Sequence, residues 1–150
     1  MIVNIVRKCR SLLPYDDVAS RNDVEIRGNY LILRLGGATI ILYKSGVAIV
    51  VKTGEPPEWL RDCIIQNVVG VVHVPRMTEE QLLEIAERAG MRIDRTERSP
   101  GYTVYSGRKT LRVVLGYTST SVIYFAKSVD EAYQMEEWIK SVFTPHLHSS

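Results

Sequence analysis

The sequence predicts an α+β fold in which two pseudo-symmetric half-repeats form one antiparallel sheet with the helices on one face. The first observation behind this is that Ile64-Ile65-Gln66-Asn67-Val68-Val69-Gly70 repeats the pattern of Ile2-Val3-Asn4-Ile5-Val6. In both stretches apolar residues flank an Asn, a residue that strands otherwise disfavour. The two Asn stand 67 − 4 = 63 positions apart, too long for a solenoid period but suited to a duplicated half-domain. The second observation is that the only two Trp lie in Glu58-Trp59-Leu60 and Glu137-Trp138-Ile139, each near the end of a half. Their spacing, 138 − 59 = 79, makes the second half longer by 79 − 63 = 16 residues. The expected organisation is a first repeat over 1–63, a second over 64–145, and a loose tail over 146–150.

Each element follows from local pattern. Ile2 to Arg7 reads as a strand from its β-branched content. Pro14 suits the first turn of a short helix, where its missing N–H costs nothing. Val24-Glu25-Ile26, Tyr30–Leu35, Thr39–Tyr43 and Val47–Val51 follow as strands separated by Gly28-Asn29, Gly36-Gly37 and Lys44-Ser45-Gly46. Connections this short force antiparallel neighbours. Pro56 and Pro57 then open a predicted short helix whose apolar face is Trp59, Leu60 and Cys63.

The second half repeats this order. Asn67–Val74 is a strand, and Thr78-Glu79-Glu80-Gln81 is a capping box that opens a helix ending at Gly90. Met91–Asp94, Tyr102–Tyr105, Leu111–Leu115 and Ser121–Phe125 are strands. Ser128-Val129-Asp130-Glu131 is a second capping box, and Ala132, Met135, Trp138, Ile139, Val142 and Phe143 form the apolar face of its helix. Trp59 and Trp138 are expected at equivalent, largely buried helix positions.

Composition narrows function. The chain has 150 residues, 45% hydrophobic and 24% charged, enough for a substantial core. A net charge of +2 does not by itself imply a nucleic-acid partner, so the distribution of charge must decide. The first ten residues lack signal-peptide order, no apolar run is long enough to span a membrane, and a cytoplasmic location is expected. Few Asn and Gln with many Val, Ile, Arg and Glu suit a thermophile. Cys9 and Cys63 are expected as small core residues.

Chemistry is sparse. His73, His146 and His148 lack carboxylates or cysteines at ligand spacing, Gly36-Gly37 has no phosphate-binding pattern around it, and Asp16-Asp17 has no partner. No catalytic residue, metal or cofactor is predicted. The strands instead are apolar on both faces (Leu31-Ile32-Leu33, Ile40-Ile41-Leu42), which helices on one side cannot cover. This predicts a binding face.

The succession of motifs resembles the TATA-box-binding protein family over almost the whole chain. Ile65-Gln66-Asn67-Val68-Val69-Gly70 is similar to the I-Q-N-I-V-G that opens the family's second repeat, and Ile2-Val3-Asn4-Ile5-Val6 to the I-V-N-V-V of its first. Leu31-Ile32-Leu33-Arg34-Leu35 resembles L-I-Y-R-M, and Ile41-Leu42-Tyr43-Lys44-Ser45-Gly46 resembles L-I-F-x-S-G. Ser99-Pro100-Gly101 resembles F-P-G, and Ala126-Lys127-Ser128 resembles the A-K-S before the last helix. The resemblance implies a saddle: one curved ten-stranded sheet, concave for the DNA minor groove, with helices on the convex face.

By the same resemblance Asn4 and Asn67 read base edges, Arg34 lies near the backbone, and Tyr43 stands at one of the positions where the family wedges Phe into base steps. The other wedge positions carry Gly28-Asn29-Tyr30, Ser99 and Gly116, so strong kinking is not expected. Arg108, Lys109 and Arg112, with Arg92, Arg95 and Arg98 nearby and Arg7, Lys8 and Arg10 in the first repeat, are candidate phosphate contacts. Two functions follow: a DNA-binding protein, with a role in transcription implied by the resemblance, or a module whose concave apolar face holds a protein partner or a second copy. For the paired Asn, the alternative to base contact is amides satisfied by neighbouring backbone.

Overall fold

The computed structural model of the chain describes residues 1–21, 23–52, 54–95 and 101–144. These form β1 (Ile2–Ser11), α1 (Tyr15–Ala19), β2 (Val24–Arg27), β3 (Tyr30–Leu35), β4 (Ala38–Tyr43), β5 (Val47–Val51) and β6 (Leu60–Pro75). There follow α2 (Glu79–Ala89), β7 (Arg92–Arg95), β8 (Tyr102–Ser106), β9 (Lys109–Leu115), β10 (Ser119–Ala126) and α3 (Val129–Val142). The ten strands make one antiparallel sheet in the order β2-β3-β4-β5-β1-β6-β10-β9-β8-β7. The chain divides into two compact units, Ile2–Val68 and Met1 with the residues from Val69 onward, so that β6 supplies a strand to each.

In the first unit, tight turns return the chain through β2 to β5, as the Gly-rich connections require. Gly28 sits at φ 58°, a conformation the β2–β3 hairpin needs and a side chain resists. Register then sorts side chains by face. Leu31, Leu33, Ile40, Leu42, Ala48 and Val50 are fully buried, or nearly so, with Val18 of α1, Cys9 and Leu60. Each such Leu or Ile contributes about 1.5–3 kcal/mol by leaving water. Their neighbours Tyr30, Ile32, Thr39, Ile41, Tyr43, Val47, Ile49 and Val51 face the other side and are only half-buried.

The helix expected after Pro56-Pro57 does not form. Its segment is extended instead: the Leu12 N–H donates to the Trp59 carbonyl at 2.8 Å, and Leu60 already begins β6. Asp62 takes φ 55°, which no helix tolerates, and Cys63 is bonded to Cys9 in a disulfide. So few residues separate the prolines from a fixed cysteine that no apolar stripe can repay a helix. Trp59 is therefore not the helical counterpart of Trp138, and both are half-buried. Cys9 is a core residue as expected, Cys63 is only partly buried against that core, and the two are joined.

In the second unit the first predicted capping box forms and the second forms only in half. Thr78 accepts from the Gln81 N–H at 3.2 Å, and the Gln81 side chain accepts from the Thr78 N–H at 2.9 Å. Ser128 accepts from the Glu131 N–H at 3.1 Å, but the Glu131 carboxylate reaches one residue further back, to the Lys127 N–H at 2.8 Å. α3 packs on β10 and α2 on β7, leaving Val104, Leu111, Val113 and Val122 buried on the helix side. There Tyr124, fully buried, lies where a Cβ on Gly70 would overlap its ring, and its hydroxyl donates to Glu136 of α3. Burial first, and Glu136 second, push the Tyr124 phenol well above its ordinary range. Burial likewise pushes the Glu136 carboxyl up, but the Tyr124 hydroxyl and the Met1 amine, 2.9 Å away, outweigh it and hold the carboxyl below its ordinary value.

Two outcomes follow. The Cys9–Cys63 disulfide closes a loop of sequence separation 54. On the chain-entropy account such a loop stabilises the protein by about 4 kcal/mol. Cys9→Ser/Cys63→Ser, or the wild type under reductant, should lower the urea midpoint accordingly, with an unchanged midpoint as the contrary result. A carboxylate with a depressed folded pKa contributes stability above the unfolded value, and this is lost as pH falls through the folded one. Thermal melts of Glu136→Gln should thus show a shallower decline below pH 4.5 than the wild type, with lower stability near neutrality.

Candidate nucleic-acid interface

Each unit has one sheet face bearing helices and one bare, and alternation assigns the candidate residues. In β1, Ile5 and Cys9 turn to the core, so Asn4, Val6, Lys8 and Arg10 turn to the bare face, where Asn4 is exposed. Lys8 stands opposite Ile49, which continues through Ile41 to Ile32 as an apolar row across β5, β4 and β3. A parallel row runs from Val6 through Val51 and Thr39 to Arg34, whose side chain is exposed.

In β6 the alternation breaks. Cys63 packs on the core and Val68 is buried, although 68 − 63 = 5 is an odd step, and Ile64, Ile65 and Gln66 between them are all exposed. From Val68 onward the pattern is regular: Val68, Gly70, Val72 and Val74 turn inward, and Asn67, Val69, Val71 and His73 turn to the bare face. Asn4 and Asn67 therefore lie on the bare side of neighbouring strands. Among the described residues no hydrogen bond engages either amide.

Tyr43 also faces the bare side, at the end of β4 opposite Tyr30, and the two rings lie 5.6 Å apart at 49°. Sequence reading placed Tyr30 in the sheet but did not pair it. The signal was the hairpin register, which sets residue 30 against 43.

The structure separates Arg108, Lys109 and Arg112. Arg108 is exposed at the β8–β9 turn. The Lys109 ammonium lies 5.0 Å from the centre of the Trp138 ring, on the helix side. Arg112 faces the bare side between Thr103 and Ile123. Other basic residues are similarly dispersed. Arg7 donates to the Gly54 carbonyl at 2.8 Å, Arg10 pairs with Asp62 at 3.1 Å, and Arg95 pairs with Glu79 of α2 at 2.7 Å. Arg92 sits 4.3 Å over the Tyr105 ring and 3.6 Å from Asp94. Arg98, Ser99, Pro100, His146 and His148, and with them the tail over 146–150, lie outside the described residues.

The second unit's bare face also carries Phe125, 44% exposed, and His73, whose Nδ1 is 3.2 Å from the Ser121 hydroxyl. A cavity of about 620 Å³ is lined by Ser11–Asp16 and Lys44–Gly46, without histidine or cysteine. Among the described residues no cluster of His, Cys, Asp or Glu has the makings of a metal site. None of the described helices is long and apolar enough to cross a membrane.

Comparison with solved structures finds Methanococcus jannaschii TBP, with a TM-score of 0.66 over 94% of this chain and 95% of that one. The fold is the TBP fold. The expected α+β architecture of ten strands and helices thus stands, and sequence identity to that structure is 17%. No family model matches the chain, and no curated protein matches it. At this identity the likeness carries the TBP fold and nothing about ligand.

Proposed function

We propose that this chain binds duplex nucleic acid, DNA foremost, through the bare face of its sheet, with Asn4 and Asn67 reading the minor groove and little kinking of the duplex. The observation that carries the reading is the pair of unengaged amides on neighbouring strands. Two polar side chains kept in apolar strands without a protein partner suit minor-groove acceptors, which need donors. Arg34 on the bare face of the first unit and Arg112 on that of the second supply phosphate contacts, as does Arg108 at its turn. The proposal takes the repeats as 1–63 and 64–145, and extends to a role in transcription, a cytoplasmic setting and no catalytic activity.

The second reading is a protein-binding or self-associating module. The uninterrupted Ile32–Ile41–Ile49 row favours it, as do Arg10 and Arg92, whose charges are matched by Asp62 and Asp94.

Titration against random and A·T-rich duplexes at low salt separates the two. Binding should weaken steeply with salt, and fluorescence transfer across the duplex should report a small bend. Asn4→Ala/Asn67→Ala should erode A·T preference more than affinity. Arg34→Ala and Arg112→Ala should lower affinity on every sequence, each reducing the salt slope by about 1. Lys109→Ala should change binding little, since its ammonium is occupied by Trp138. Absence of binding at roughly tens of micromolar protein would remove the nucleic-acid reading and leave the second.

A further inference from the structure

β2 is one edge of the sheet, and among the described residues no strand lies beyond it. An edge presents unpaired N–H and C=O groups, and proteins blunt such edges with short strands, charges, Pro or a bulge. Val24-Glu25-Ile26-Arg27 is short and charged, but it has no Pro and keeps a regular register, and its two charges are of opposite sign, so they repel other edges without repelling a copy of this one. Ile26 is 58% exposed at its centre, and Glu25 and Arg27 flank it with opposite charge. Within one chain these two are already attracted: Arg27 Nε donates to Glu25 at 2.9 Å, and the guanidinium first, then its charge, depresses the Glu25 carboxyl.

The pattern is self-complementary. An antiparallel strand paired about Ile26 puts Ile26 opposite Ile26, Glu25 opposite Arg27, and Arg27 opposite Glu25. Opposite charges facing each other across strands stabilise a pair, and like charges destabilise it. A two-fold axis through Ile26 satisfies this whichever of the strand's residues direct their N–H outward, because directly opposite residues exist in both kinds of antiparallel pair. β7, the other edge, has the related order Arg92-Ile93-Asp94, but Arg92 is held over Tyr105, Arg95 is tied to Glu79, and Ile93 is only half-exposed.

We propose that two copies of this chain associate by antiparallel pairing of their β2 strands about Ile26, extending the sheet from one copy into the next. The interface is small, so the association is weak and reversible. It does not rest on the nucleic-acid reading: the backbone groups it pairs belong to the sheet edge, although Glu25 and Arg27, opposite Ile32 and Tyr30, direct their side chains to the bare face.

Sedimentation equilibrium up to millimolar protein tests it. The wild type should show a monomer–dimer equilibrium. Glu25→Arg sets four positive charges against one another and should weaken dimerisation at least about tenfold, as should Arg27→Glu by four negative charges. The double swap Glu25→Arg/Arg27→Glu restores the complementary pattern and should restore the dimer. Mixing the two single variants should likewise give a heterodimer that neither forms alone. Ile26→Lys, whose side chain lies on the opposite side of the strand from Glu25 and Arg27, should abolish pairing, whereas Ile41→Lys on the bare face should leave it intact. A wild type that stays monomeric throughout overturns the proposal. So does a dimer indifferent to the charge of residue 25, or one lost with Ile41→Lys and kept with Ile26→Lys.

Discussion

The two-residue alternation of the strands, with helices on one side only, is the constraint on which the rest depends. In β3 it sends Leu31 and Leu33 into the core and Tyr30, Ile32 and Arg34 out of it. In β4 it does the same for Ile40 and Leu42 against Thr39, Ile41 and Tyr43. A slip of one residue would exchange the two sets, so register is fixed by the inner face, where burial is complete. The outer face is then determined without having been selected for stability. Its Ile32, Ile41 and Ile49 gain little from packing, and their persistence as a row across three strands calls for a contact surface.

Most of this was legible because strand pattern, glycine turns and capping boxes are local signals. Thr78 with Gln81 specifies a helix start by reciprocal hydrogen bonds within four residues, and the structure repeats it. The segment after Pro56 was not legible, because its fate is set from a distance. Cys63 is drawn to Cys9, and the Trp59 carbonyl is drawn to the Leu12 N–H, neither of which a local window contains. The side taken by Lys109 was equally hidden. A charge next to a turn reads as surface, and only the position of Trp138 on α3 shows which surface.

Basic residues that look clustered along the chain are not clustered in space. Alternation sends Arg92 to one face and Arg95 to the other, and each finds an acid, Asp94 two residues away or Glu79 on α2. Exposed pairs of this kind add little stability. Their larger effect is on the field, since a neutralised arginine no longer attracts a polyanion from a distance. The electrostatic case for nucleic acid therefore leans on Arg34 and Arg108, both exposed, with Lys8 beside Ile49.

The aromatic residues complete the argument about how a duplex would be held. A wedge must leave its own contacts and enter a base step, where its tip is desolvated. Tyr43 is poorly suited to this, because its ring already rests on Tyr30 and its hydroxyl would lose water without gaining a partner. A tyrosine pair at the end of two strands lies more readily along the sugar edge of a groove, where each ring buries an apolar face and keeps its hydroxyl wet. In the second unit Gly116 offers no ring at all, and Phe125, though exposed, sits near the end of β10 and not at a wedge position. On the proposed reading, without unstacking the duplex would give the sheet no bend to read, and discrimination would fall to the two amides of β1 and β6. An amide donor distinguishes A·T from G·C in the minor groove by meeting an acceptor where guanine would present its amino group, and it distinguishes little more than that.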